Sequence, residues 1–287
     1  MTVLLLALSI VLSTGRNLLS KQLSSAAFGT RRFFLCQGIL FAFGALALLL
    51  AGAPLRQPPS LQTLSYAIVY GILLILAQWF YTLALGRGNT ALCSTVYSMG
   101  FILPTLSGAL IWSEPFSMLD FAGVVCAVFA ILCSQKTSLR DTGAGKGGLI
   151  PLLVAMLASG GLGIMQKLLQ KAGVSDEQTA FLIIAFLLAA LLSFLAVPAA
   201  EKGKENQFPV RMLGMAATVG IAFGSCNLLN TVLAGRLPSA VFFPTLNIGV
   251  IVLTLICGIL FFKEKIRKKE LLVLLFGGLS IFLLNIS

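Results

Sequence analysis

Long apolar runs alternate with short polar segments along the chain. Ten of these runs approach the ~20 residues that a helix needs to cross a bilayer, and they lack the period-two alternation of a membrane β-barrel. The pattern therefore predicts an all-α integral membrane protein with ten transmembrane helices. The predicted spans are residues 2–22, 32–52, 62–85, 89–112, 117–134, 148–170, 177–198, 210–234, 238–262 and 268–286.

One part of the sequence is written twice, as residues 78–114 and again as residues 227–264. At an offset of 149 residues, and of 150 after one insertion, the matched pairs are Gln78 with Asn227, Tyr81 with Asn230, Thr82 with Thr231, Arg87 with Arg236, Gly100 with Gly249 and Glu114 with Glu264. At an offset of 146 residues, Ser13 matches Ser159, Gly15 matches Gly161 and Lys21 matches Lys167. A repeat of this kind sets the architecture, so the chain is predicted to be two related halves.

Each half contains five predicted spans. The first repeat covers residues 1–135 and the second covers 148–287, and residues 136–147 form a linker rich in Gly, Ser and charge. A unit with an odd number of crossings starts and ends on opposite sides of the membrane. The second unit is therefore expected to lie inverted relative to the first, with a binding site at the interface between them.

The basic residues favour one set of loops. Fifteen Lys and Arg residues fall in or beside the odd-numbered loops, against four for the even-numbered loops. By the positive-inside rule the odd-numbered loops are cytoplasmic, which places both termini outside. The net charge of +11 is thus explained by topology, and no nucleic-acid partner is expected.

Composition excludes several classes of function. Charged residues make up 10% of the chain, against about 25% in soluble domains. There is no histidine, which excludes HExxH metalloproteases and Ser-His-Asp triads. The six cysteines lack the paired spacing of a zinc site and are expected to be buried thiols. The sequence therefore predicts no enzyme activity, no metal and no cofactor.

The segment TALCSTVYSMGFILPTLSGALIWSEPFSMLDFAGVVCAVFAILC, residues 90–133, resembles the EamA domain of the drug/metabolite transporter superfamily. Lys21 and the Arg31–Arg32 opening of span two are also similar to that domain. The resemblance covers nearly the whole chain as two EamA units. It departs in the second unit, where Leu253 or Thr254 stands at the position of Pro104 and the proline is Pro244 instead.

The resemblance implies transport of small metabolites, often export, by a proton-coupled or facilitated route. Ten-span members of the superfamily keep both termini inside, which differs from the orientation that the charge count predicts. Flipping of a lipid-linked phosphate is an alternative, because relatives of the fold are similar to such flippases.

Uncharged polar residues recur on matching helix faces of the two halves. Gln78, Tyr81 and Thr82 fall at positions i, i+3 and i+4 of span three, and their repeat mates do the same in span eight. Amides in hydrocarbon need partners, so these faces either line a cavity or join neighbouring helices. The predicted cavity-lining set is Arg16, Asn17, Gln78, Tyr81, Ser94, Tyr97, Ser98, Asn227, Asn230, Thr245 and Asn247.

Charge within the spans points to the substrate. All nine carboxylates fall at span ends or in loops, which disfavours an organic-cation exporter built on a buried glutamate. Arg16 lies inside span one with no acid near it in sequence, so it either reaches an interface or provides a counter-charge for a carboxylate-bearing substrate. Lys21 and Lys167 are expected to reach the interface, and a counter-charge for an anionic substrate is the alternative for them as well. Pro104 and Pro244 are expected to kink spans four and nine as gating bends.

The sequence thus predicts a secondary transporter of the cell membrane, and by resemblance an exporter. Amino-acid-like or carboxylate-bearing metabolites are the favoured substrates, moved by alternating access at a central cavity. The expected partners are the small-molecule substrate and the lipid bilayer. Spans five and ten carry few polar residues and are interpreted as lipid-facing or as homodimer contacts. A non-transporting membrane receptor or scaffold is the remaining alternative.

Overall fold

The structure is a computed structural model that describes residues 2–26, 30–51, 58–87, 90–133, 149–200, 210–262 and 268–286. Within these ranges, side chains are described except for residues 20–26, 86–87, 90–92, 258–259, 261–262 and 268–270. The predicted linker at 136–147 lies outside the described residues, as do residues 263–267 of the most basic segment of the sequence, residues 263–270.

The described residues form eleven α-helices and contain no β-strand. The helices are α1 Thr2–Ala26, α2 Thr30–Leu50, α3 Leu61–Arg87, α4 Thr90–Ser98, α5 Ile102–Trp112, α6 Met118–Cys133, α7 Leu149–Lys171, α8 Gln178–Ala196, α9 Val210–Arg236, α10 Ser239–Phe262 and α11 Lys268–Ile286. Each of the ten predicted spans falls on one of these helices, with α4 and α5 sharing the fourth.

Among the described residues, eight helical segments are long and apolar enough to cross a membrane. Two further apolar helical segments, Met118–Cys133 and Leu271–Ile286, are shorter. Long apolar helices satisfy their own backbone hydrogen bonds, which is the requirement for spanning a bilayer. The fold is that of a helical, multi-pass membrane protein.

The fourth predicted span is divided by a 3₁₀ turn at Met99–Phe101. The turn lies directly before Pro104, whose ring has no N–H to donate to Gly100 and crowds the preceding turn. The sequence predicted one bent helix here, and the structure shows two short helices joined at that point. In contrast, α10 continues through Pro244 as one helix, so a bend at Pro244 stays a prediction.

The described chain divides into two compact units. The first comprises residues 1–10, 76–167 and 233–287, and the second comprises residues 11–75 and 168–232. Each unit takes segments from both halves of the sequence. Each compact unit therefore contains helices from both predicted repeats.

In the first unit, α6 packs on α11, and α10 packs on both α5 and α11. The core contains the buried side chains Leu6, Phe101, Ala127, Ala130, Ile131, Leu233, Ala234, Phe242, Phe243 and Ile248. The 3₁₀ turn at Met99–Phe101 and helix α7 approach closely through glycine, because a Cβ atom on Gly160 would lie 2.6 Å from the carbonyl oxygen of Gly100. Small residues at such crossings let helix backbones come together in membranes.

In the second unit, α2 packs along α8. The rings of Phe41 and Phe186 meet edge-on with centroids 5.8 Å apart, and Phe223 of α9 lies 5.4 Å from Phe186. Helices α2 and α9 cross where a Cβ on Gly224 would lie 2.6 Å from the carbonyl oxygen of Gly44. Aromatic packing and a glycine crossing therefore join the three helices.

Candidate functional site

Helices α3 and α4 bring polar faces together in the first unit. The rings of Tyr81 on α3 and Tyr97 on α4 lie 4.5 Å apart at an angle of 40°. Gln78, Ser94 and Ser98 are half-buried, as are the two tyrosines. These five predicted residues therefore keep part of their polar surface accessible although their helices are apolar enough to span a membrane.

Helix α10 carries the two remaining predicted residues of the first unit. Asn247 is half-buried, and its Nδ2 donates to the carbonyl oxygen of Phe243 at 2.9 Å. Thr245 is buried, and its hydroxyl oxygen has no hydrogen-bond partner among the described residues. A buried hydroxyl without a partner is unfavourable, so Thr245 can accept a bond from a water or a ligand.

Arg16 on α1 is the positive charge of the second unit's predicted set. Its Nη2 donates to Oδ1 of Asn17 at 2.8 Å, and its guanidinium lies 4.8 Å from the centre of the Phe223 ring. Among the described residues, no carboxylate forms an ion pair with Arg16. A cation–π contact and one amide orient the group but leave its charge uncompensated by those residues.

Asn227, the repeat mate of Gln78, is already engaged by the protein. Its Oδ1 accepts the hydroxyl of buried Tyr70 at 2.6 Å, and its Nδ2 donates to the carbonyl oxygen of Phe223 at 2.9 Å. This arrangement is the helix-joining alternative that the sequence left open for such amides. Asn230, one turn further along α9, is half-buried.

A crevice of about 300 Å³ lies elsewhere on the second unit, between α1 and α9. Its lining residues are Leu19, Arg211, Gly214, Met215, Thr218 and Val219. None of these belongs to the predicted cavity-lining set, so this crevice is distinct from the predicted site.

The first unit also contains a buried charged cluster that the sequence analysis left out of the site. Nζ of Lys167 on α7 lies 2.7 Å from Oε1 of Glu114, and their side chains are 2% and 10% exposed. The ammonium also donates to the carbonyl oxygen of Leu237 at 2.9 Å. Oε2 of Glu114 accepts the backbone N–H of Ser239 at 2.7 Å. One carboxylate thus joins the end of α7 to the start of α10.

Local backbone geometry places Glu114 in this cluster. Helix α5 ends where Ser113 adopts a left-handed conformation with φ of 51°, and the N–H of Glu114 then bonds to the Gly108 carbonyl at 3.0 Å. A Cβ on Gly108 would lie 2.7 Å from Oε2 of Glu114 and 2.5 Å from Cβ of Ser239. Glycine at position 108 is therefore what lets the carboxylate reach the start of α10.

The environment of Glu114 acts on its pKa in two directions. Burial raises the pKa, but hydrogen bonds from Lys167 and from the backbone of Ser239 outweigh burial and lower it from 4.5 to about 2. The start of a helix also favours negative charge. Glu114 is therefore ionised in this cluster at neutral pH.

Both charged members of the cluster were visible in the repeat. Glu114 matches Glu264, and Lys167 matches Lys21, although both mates lie outside the described side chains. The expectation that Lys167 reaches the interface is wrong, because its side chain is 2% exposed and pairs with Glu114. Recurrence of an acid and a base in both halves was the signal that could have identified the pair.

Two other carboxylates also bond the backbone at helix starts. Oε2 of Glu177 accepts the N–H of Ser60 at 2.8 Å and its hydroxyl at 2.9 Å, directly before α3. Asp120 accepts the N–H of Ser117 at 2.7 Å, and Ser117 Oγ accepts the N–H of Asp120 at 3.1 Å. The second pair is a reciprocal cap within a single helix. No group of three or more metal-ligating acidic, Cys or His residues occurs in the part of the chain that the structure describes.

Comparison with known proteins gives the fold without a function. No protein-family model matches the sequence. An uncharacterized protein of Haemophilus influenzae is 30% identical over 197 residues, which are 65% of this chain and 63% of that relative. The chain thus matches less than two thirds of that relative's length. A solved crystal structure of another protein superposes over 99% of this chain and 96% of that one, with a TM-score of 0.79 at 16% identity. This chain shares its fold with that structure.

Proposed function

We propose that this protein is a secondary transporter of small carboxylate-bearing metabolites, with amino-acid-like compounds favoured. It belongs in this proposal to the drug/metabolite transporter superfamily and has ten spans as two inverted EamA-like repeats. It works by alternating access at a polar cavity between the repeats, in the cell membrane, and exports its substrate. These assignments extend the resemblance of residues 90–133 to the EamA domain.

The observation that carries the proposal is the state of Arg16. An arginine inside an apolar span costs at least ~2.5–3.5 kcal/mol on insertion scales. This one is half-buried, is oriented by Asn17 and Phe223, and has no described carboxylate as a partner. A guanidinium binds a carboxylate through two parallel hydrogen bonds. A substrate carboxylate would therefore supply the negative charge that the described residues do not place beside Arg16.

The half-buried polar residues of α3 and α4 support the same proposal. Tyr81 and Tyr97 provide aromatic surface together with hydroxyl groups, and Gln78 provides an amide that both donates and accepts. Ligand sites combine apolar lining with a few polar groups that set orientation. Such a lining suits an uncharged or zwitterionic body attached to the carboxylate.

The Glu114 cluster supports the ten-span count. Between Glu114 and Lys167 the sequence contains predicted spans five and six, and between Lys167 and Ser239 it contains spans seven and eight. A direct contact among the three residues requires an even number of crossings in each interval. The ten-span arrangement provides two crossings in each.

Counterflow in proteoliposomes tests the proposal. Vesicles containing the purified protein are loaded with a mixture of amino acids and carboxylic acids, and exchange of labelled compounds is followed. We expect saturable exchange that Arg16→Gln abolishes and that Arg16→Lys reduces, because lysine keeps the charge but loses the paired hydrogen bonds. Arg211→Gln, an exposed arginine outside the predicted set, is the matched control and should exchange normally.

The alternatives give different outcomes. Movement of a lipid-linked phosphate between leaflets, without exchange of any soluble compound, would assign the protein as a flippase. Absence of both activities in folded, correctly inserted protein would favour a receptor or scaffold. Exchange that persists in Arg16→Gln would remove the proposed carboxylate site and leave the substrate class open.

A further inference from the structure

Two glutamates each bond the start of a helix that belongs to the other half of the sequence. Glu114 lies in the first repeat and accepts the N–H of Ser239, the first residue of α10 in the second repeat. Glu177 lies in the second repeat and accepts the N–H and hydroxyl of Ser60, directly before α3 in the first repeat. The first contact lies within the first compact unit and the second within the other. Each joins the two repeats through one carboxylate.

The predicted topology assigns the residues of both contacts to even-numbered loops. Glu114 follows span four and Ser239 precedes span nine, so both belong to even-numbered loops. Glu177 and Ser60 directly precede spans seven and three, which are also even-numbered loops. In the ten-span arrangement, both contacts are therefore on the membrane face opposite the basic, odd-numbered loops.

The physical chemistry of these contacts suits reversible closure. A buried ion pair gains attraction but loses the hydration of both ions, so its net stabilisation is small. When such a pair separates at the edge of the membrane, water can again hydrate Glu114 and Lys167. Glycine crossings and aromatic packing inside the spans have no comparable replacement for the contacts they lose. When the Glu177 contact opens, water can likewise bond its carboxylate and the Ser60 N–H and hydroxyl that it leaves. Both carboxylate contacts can therefore open at low cost.

We propose that Glu114 and Glu177 are latches, each of which holds its own compact unit closed at the even-loop face. Each must leave its helix start before the protein opens to that face. This inference rests on the proposed alternating-access function and assigns the two glutamates as positioning residues. Neither residue contacts substrate in the proposal, and Lys167 acts only through Glu114.

The chain provides a matched control. Asp120 is a buried carboxylate that accepts the N–H of Ser117 at the start of its own helix. It makes the same kind of contact as the latches, but inside one helix and one repeat. Asp120→Asn therefore removes a helix cap that lies within one helix and one repeat.

Hydrogen–deuterium exchange of the purified full chain in nanodiscs tests the latch. In Glu114→Gln we expect faster exchange in the first turn of α10, at Ser239–Phe243, by about 5- to 30-fold. In the same variant, the last turn of α10, at residues 258–262, should exchange more slowly. The slowing arises because opening of one face closes the other. Glu177→Gln should produce the same pair of opposite changes at the two ends of α3.

The direction of the change in exchange at the far end of the helix distinguishes a latch from a local cap. Faster exchange at the helix start without slower exchange at the far end would show a local cap, as we expect for Asp120→Asn at the start of α6, and would overturn the latch. No change at either end would overturn it as well. Counterflow on the same preparations separates this inference from the proposed function. If the protein shows counterflow of metabolites but the far end of the helix does not exchange hydrogen more slowly, only the latch is overturned. If the far end does exchange hydrogen more slowly but no counterflow occurs, only the transport proposal is overturned.

Discussion

The ammonium of Lys167 and the carboxylate of Glu114 lie 2.7 Å apart with almost no exposed surface. Both residues stand where an apolar span meets a loop, which is where long charged side chains commonly extend into water. Instead, the left-handed turn at Ser113 directs the Glu114 carboxylate inward to the start of α10, and the Lys167 ammonium lies beside that carboxylate. The charges are therefore part of the protein's interior, and several measurable consequences follow from that position.

The stability losses from removing the two partners of the pair should not be additive. Glu114→Gln and Lys167→Met each leave a buried group uncompensated, and each should lower the free energy of unfolding by roughly 3–5 kcal/mol. The double variant should lose less than the sum of the two. Thermal unfolding of the purified protein in detergent, analysed as a double-mutant cycle, measures the difference. Additive losses would show that the pair is not coupled.

The contribution of Glu114 to stability should depend on pH. Its folded-state pKa of about 2 lies below the ordinary 4.5, so its stabilisation is fully present above pH 4.5 and is lost as the pH falls toward 2. The difference in unfolding temperature between the natural protein and Glu114→Gln should therefore narrow over that interval. Unfolding followed at a series of pH values tests this, and a difference that stays constant throughout would contradict the assigned pair.

Adding one methyl group where α7 crosses the 3₁₀ turn at Met99–Phe101 should be costly. Gly160→Ala places a Cβ within 2.6 Å of the Gly100 carbonyl oxygen, and backbone cannot move aside as a flexible side chain does. We expect a loss of about 1–3 kcal/mol. A Cβ atom on Gly278 of α11 would have no atom within 4 Å apart from its own stretch of helix. Gly278→Ala should therefore be neutral or stabilising, because alanine favours the helix. Equal effects of the two substitutions on thermal unfolding would contradict the close crossing.

Loss of one hydroxyl should remove a buried hydrogen bond between α3 and α9. Tyr70→Phe removes the donor that lies 2.6 Å from Asn227 Oδ1, in a buried site, and should cost about 1–3 kcal/mol. Tyr66→Phe on the same helix is the control, because the Tyr66 hydroxyl bonds Gln62 at an exposed position. Thermal unfolding compares the two. A loss in Tyr66→Phe as large as that in Tyr70→Phe would argue against the buried bond.

The helices were predictable and several contacts were not. Length and hydropathy fix where an apolar run must form a helix in a bilayer, because every backbone group needs an internal partner. All ten predicted spans therefore fall on helices. The sequence also marked Pro104 as a site of distortion, although it did not predict the 3₁₀ turn at Met99–Phe101. The roles of the polar residues were less accessible, since Gln78 and Asn227 match in sequence while only Asn227 is shown with its amide engaged by Tyr70.

What the sequence determined by itself was the position of the apolar helical runs and the repetition of an acid, a base and polar faces in both halves. These are local or periodic properties, and each is written in the spacing of residues. Only the tertiary structure decided that Glu114 and Lys167 meet in the interior, and that Glu114 and Glu177 bond helices of the opposite half. Those contacts join residues more than fifty positions apart, so they depend on how helices pack and where a left-handed turn directs one side chain.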